Sequence, residues 1–111
     1  MLTWDDVRRI ALALPNAEET TSYRQPCFKV NGRPFVNTGR VDGAIVTRAP
    51  DAERDLLISA RPDVYFVTPH YEGWEAVLVR LDAADEDELA GRIEDSYAFM
   101  ATKKPARRRE R

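Results

Sequence analysis

Two dipeptides, Asn31-Gly32 and Asp42-Gly43, constrain this chain more than any other feature. Both are of the kind that supplies positive backbone φ cheaply, which tight hairpin turns require. The first separates the β-type runs Cys27 to Val30 and Phe35 to Thr38, and the second leads into Ala44 to Arg48. The pattern predicts three antiparallel strands in succession. Pro34 lacks an amide donor, so the second strand starts after it or carries it on an edge.

Helical signals flank this meander. Thr3 with Asp6 resembles a capping box ahead of apolar Trp4, Val7, Ile10, Ala11 and Leu14, and Pro15 with Asn16 stops that helix. Glu18 to Tyr23 reads as either an edge strand or a loop. Pro50 and Asp51 open a second helix with Ala52, Leu56 and Leu57 on one face, closed by Arg61 before Pro62. Val64 to Thr68 and Ala76 to Leu81 read as strands joined by a connection rich in aromatic and polar residues, Pro69 to Trp74. Asp85 with Glu88 caps a last helix carrying Leu89, Ile93, Tyr97 and Met100, which Lys103, Lys104 and Pro105 end. The order α-β(3 or 4)-α-β2-α implies an α+β, two-layer α/β sandwich with an antiparallel sheet. Its helices are expected on one face, leaving the other with little to cover it. By parity, Phe28 and Val30 point together, while Lys29 and Arg80 look out from the uncovered face.

The 111 residues suit one domain, expected over 1–102, with a basic tail of disordered character over 103–111. Nothing approaches a membrane span, and Met1 to Asp6 has no basic region ahead of an apolar stretch, so a cytoplasmic location is expected. Residues 103–111 hold six bases and one acid, whereas the preceding part holds eleven bases and eighteen acids. The body is acidic and the tail basic.

A lone Cys27 makes no internal disulfide and a lone His70 builds no histidine-rich metal site, so neither a metal nor another cofactor is expected. Cys27 and His70 could pair as nucleophile and base, but nothing marks an activated thiolate or an oxyanion hole, and a buried inert thiol is the plainer reading. The acid pairs at Asp5, Asp6, Glu18, Glu19 and Asp85 to Glu88 sit where helix starts and turns attract acids. No phosphate-cradling glycine loop, dinucleotide fingerprint or CxxC pair occurs. The chain is therefore read as a non-enzyme.

Tyr23, His70, Tyr71 and Trp74 are candidates for contact with a ligand or protein partner, because such rings stack and hydrogen-bond; the alternative is a long hairpin packing its own aromatics. Lys103, Lys104, Arg107, Arg108, Arg109 and Arg111 could hold phosphates by counterion release. Lys29, Arg33, Arg40 and Arg48 could form a weaker patch, although a solvated strand face is the more common explanation of such residues.

The stretch Tyr23, Gln25 to Val30, Gly32 and Phe35, followed by Val64, Phe66 to Tyr71 and Val77 to Leu81, resembles the MmcQ/YjbR family. The resemblance runs from Val7 to Thr102 and includes the opening helix ending in Leu14 and Pro15. It implies a YjbR-like fold, similar to secretion chaperones, and a DNA-binding label founded on the likeness of the sheet to a double-wing nucleic-acid surface. The Arg-rich stretch after Pro105 departs from the shared pattern. Three functions follow as expectations: a DNA-binding or regulatory module using the open sheet face and the tail, a protein-interaction or self-associating module, and a small-ligand binder.

Overall fold

The computed structural model describes residues 2–22, 24–39 and 41–103. Its elements run α1 (Trp4–Leu12), β1 (Glu18–Ser22), β2 (Gln25–Val30), β3 (Arg33–Thr38), β4 (Ala44–Arg48), α2 (Asp51–Ala60), β5 (Tyr65–Phe66), a 3₁₀ turn (Pro69–Tyr71), β6 (Ala76–Arg80) and α3 (Glu86–Thr102). The six strands form one sheet in the order β1-β2-β3-β4-β6-β5, with every pair antiparallel. The α+β two-layer sandwich read from the sequence is the observed fold. Glu18 to Ser22 is a strand, paired with β2 at the sheet edge.

The turns work as their residues predict. Asn31 (φ 53°) and Gly32 (φ 77°) both occupy the left-handed region between the paired residues Val30 and Arg33, which is the two-residue hairpin that matches strand twist. A register shift between Phe28 and Lys29 accommodates Pro34 opposite Lys29. The Thr3 amide donates to Asp6 Oδ2 at 2.9 Å to start α1, and Asp85 Oδ1 accepts from the Glu88 amide at 2.8 Å to start α3.

All three helices contribute to one apolar cluster. Val7 and Ile10 from α1, Leu57 and Ile58 from α2, and Leu89 and Ile93 from α3 pack with Phe28, Val30, Phe35, Ile45, Val77 and Val79 of the sheet. The spacing assigned Leu56 to the buried face of α2, but Leu56 is 70% exposed, and Leu57 with Ile58 makes the contact instead.

The opposite face is not bare. Val46, Ala76 and Leu78 are buried there together with Tyr71 of the 3₁₀ turn, with Val41, Phe66 and Val67 packed around them. The connection after β5 folds back over the centre of the sheet, which is why β5 keeps only Tyr65 and Phe66 of the longer strand expected. The Arg80 guanidinium lies 4.1 Å from the Phe66 ring centroid, on this outer face as parity requires.

Candidate functional site

Strand register gathers many of the candidate residues at one end of the sheet, the end of the Asn31-Gly32 turn. Lys29 is half-buried in β2, in register with Glu18 on one side and Pro34 on the other. Arg33 begins β3 and is half-buried. Arg48 ends β4 opposite Ala76, the first residue of β6. The C-terminal end of α3 arrives at the same place, where Asn31 Nδ2 donates to Ala101 O at 3.4 Å. Arg40 and Tyr23, like Lys104, Arg107, Arg108 and Arg109, lie outside the described residues.

The connection leading into β6 supplies the aromatic part. The His70 and Tyr71 rings meet edge to face at 4.6 Å, and Tyr71 meets Trp74 in the same manner at 5.5 Å. Tyr71 is buried as the plug of the outer face, His70 is exposed and Trp74 is 51% exposed. The cluster thus divides the labour foreseen in the two sequence readings: one ring packs the fold and two face solvent. His70 and Cys27 lie on separate elements, and no hydrogen bond joins them among the described residues.

Arg48 does not reach out from an open face. Its Nη2 donates to Asn37 Oδ1 at 3.1 Å, and the Asn37 amide nitrogen donates to Thr38 O at 2.7 Å, which fixes the carboxamide with its oxygen toward the arginine. Nη1 is buried and has no hydrogen-bond partner among the described residues. Burial pushes the guanidinium pKa down, against the pull of Tyr71 and Cys27. Burial likewise pushes the Cys27 thiol up, and Lys29 and Arg48 offset this only in part.

Beside Arg48 lies a cleft of about 180 Å³ lined by Arg48, Trp74, Glu75, Phe99, Met100 and Lys103. Lys103 Nζ lies 2.8 Å from Glu75 Oε1 and 4.9 Å from the Phe99 ring centroid. The first residue of the basic tail is therefore held against the aromatic connection. A second cleft, of about 570 Å³, opens at the far end of the sheet between Leu2, Val41, Asp42, Phe66, Arg80 and Asp82.

Sequence reasoning missed Ser96 and Arg92. Ser96 Oγ donates to Phe35 O at 2.6 Å and accepts from the Arg48 amide at 2.7 Å, joining α3 to β3 and β4. Arg92 is buried, pairs with Glu53 at 2.9 Å and donates to Arg48 O at 2.8 Å. Both sit on the sheet-facing stripe of α3, where a polar residue among apolar ones is the signal that could have found them.

The YjbR family model matches residues 12–99. The uncharacterised proteins Rv2570 of Mycobacterium tuberculosis and Mb2600 of Mycobacterium bovis are each 33% identical, over 93% of this chain and 92% of their own. The crystal structure of protein DR2400 from Deinococcus radiodurans, a DUF419-domain protein, superposes with a TM-score of 0.80 at 23% identity. That match covers 93% of this chain and 81% of the other. At that identity it speaks for the fold.

Proposed function

This chain belongs to the YjbR family, and on that premise we propose that it is a non-enzymatic DNA-binding module that meets its ligand with one end of the sheet and the basic tail. The observation that carries this reading is the anchoring of Lys103 to Glu75. Lys103, which precedes the five bases of residues 104–111 in sequence, is thereby held near the exposed Trp74, at the end of the sheet that bears Lys29 and Arg33. Eight residues span at most about 28 Å, enough to follow a phosphate backbone away from that anchor. The acidic body repels phosphates at long range, so the tail supplies the attraction and the end of the sheet supplies orientation. Arg48 has no phosphate contact in this scheme, because Asn37 and its own burial hold it inside.

The test is a salt titration of binding to a labelled duplex, read by anisotropy, with the full chain and with a chain ending at Lys103, which keeps the anchor. With about five phosphates neutralised, log affinity falls against log salt with a slope of roughly −4 for the full chain. The shortened chain is expected to bind more weakly with a much flatter slope. Equal slopes would move the contact from the tail to the sheet, and no binding by either chain at low salt would overturn the reading.

A second reading has its own observation. β1 begins the sheet order, and Glu18, Glu19, Thr20 and Thr21 are all exposed along it. Such an edge can accept an extended peptide as a further strand; Glu19 is already paired with Arg8 at 2.9 Å, so Glu18 is the acid that favours a basic one.

A further inference from the structure

The cleft beside Arg48 shares Trp74, Glu75 and Lys103 with the DNA-binding reading, but its Arg48 has a chemistry that reading does not use. Three buried side-chain atoms lack a hydrogen-bond partner among the described residues: Trp4 Nε1, Arg92 Nε and Arg48 Nη1. Of these residues, Arg48 is the one that lines either cleft. A buried donor left unmatched is costly, and an arginine nitrogen more so than most. The neighbouring Nη2 is already committed to Asn37 at 3.1 Å, so the guanidinium is oriented with both N–H groups of Nη1 left over. The walls are apolar: Phe99, Met100 and the half-exposed Trp74.

The charge and size of the cleft select the ligand. Arg48 and Lys103 contribute two positive charges and Glu75, 2.8 Å from Lys103, one negative. The surplus of one matches a monoanion better than a phosphate dianion. A volume of about 180 Å³ compares with the roughly 150 Å³ in which an apolar cavity holds a benzene ring. We propose that this cleft binds a small monocarboxylate with a flat apolar body, of the size of benzoate. Its carboxylate takes Arg48 Nη1 with Lys103 alongside, and its ring lies against Trp74 and Phe99. Nη1 is closed to water in the free protein, so the carboxylate reaches it only as a wall of the cleft shifts.

This proposal stands apart from DNA binding and is tested without it. Sodium benzoate is titrated into the full chain and followed by amide, indole and Arg Nε resonances. Saturable shifts at Arg48, Trp74 and residues 99–103 are expected, with a dissociation constant of about 1 mM for so small a ligand. Benzamide, the neutral isostere, is expected to bind at least about tenfold more weakly, as is benzoate to Arg48→Gln. Trp74→Ala, at a half-exposed site that leaves the core intact, weakens benzoate severalfold. Benzamide binding as well as benzoate would overturn the proposal in the unaltered chain, whether or not Arg48→Gln folds. So would the absence of saturable shifts, or undiminished binding to a folded Arg48→Gln.

Discussion

Cys27 and Phe28 are neighbours in β2, both with 0% exposure, and they are buried by opposite faces of the sheet in different ways. Phe28 stacks on Trp4 of α1 at 5.3 Å, within a cluster to which all three helices contribute. Cys27 lies on the outer face, in register with Asn37 and within electrostatic reach of Arg48 and Lys29. The inner face is closed by three amphipathic elements over an apolar cluster, with Thr47, Arg92 and Ser96 buried at its margin and bonded to the backbone. On the outer face the apolar part is covered by one short turn bearing Tyr71, and the rest is organised by hydrogen bonds among Asn37, Thr38, Gln25 and Arg48. Stability is therefore concentrated on one side, and adaptable chemistry on the other.

The two faces differ most at Phe28. Phe28→Ala removes a buried ring where several elements meet and cannot all collapse inward, so a loss of about 3–5 kcal/mol is expected in urea unfolding. A loss below about 1 kcal/mol would mean that the inner face is no more tightly packed than the outer.

The link between the faces is weaker but sharper. Ser96 Oγ is the partner of the buried Arg48 amide and of Phe35 O. Ser96→Ala orphans both groups and is expected to cost about 1–3 kcal/mol with an unchanged denaturant slope. The Arg48 side chain depends on that backbone position, so the variant should also weaken benzoate binding. A stability loss with full benzoate affinity would uncouple the faces.

Much of the inner face was legible because it follows from periodicity. Apolar spacing located α1 and α3, and Asn31-Gly32 set the register of β2 and β3. What periodicity does not encode is how a connection folds back. Tyr71 sits in a turn with no period, so its role as the plug of the outer face could not be separated from ligand contact. Arg48 alternates correctly to the outer face, yet its exposure depends on Asn37 and the Trp74 connection, eleven and twenty-six positions away in sequence. Leu56 and Leu57 shared one face in the helical spacing of α2, and the packing of Leu57 with Ile58 against the core left Leu56 exposed. The candidate site was therefore legible as a set of residues but not as an arrangement, because side-chain hydrogen bonds distant in sequence determine it.

Cys27 reports whether the outer face is as closed as the inner one. A buried thiol of this size contributes about 1 kcal/mol, so Cys27→Ala should move the unfolding midpoint only slightly near neutral pH. Its pH dependence is more telling. Burial raises the folded-state pKa of Cys27 above its ordinary value, so at alkaline pH the unfolded chain releases this proton before the folded one does. The native state then holds more protons than the unfolded state, and stability falls as pH rises. The contribution is complete below about pH 8.5, the ordinary thiol range, and is lost as pH climbs toward the folded-state value. Tyr65, raised by burial and by its hydrogen bond to Glu88, adds a loss of the same sign above about pH 10, the ordinary phenol range. Unfolding midpoints between pH 7 and 10 should therefore decline more steeply for the unaltered chain than for Cys27→Ala. In the same window, alkylation of the native thiol should proceed no faster than local opening of the outer face exposes it. Rapid alkylation at pH 7 together with a profile that declines less steeply than that of Cys27→Ala would show that the guanidinium of Arg48 overrides burial, and that the outer face presents a reactive thiolate.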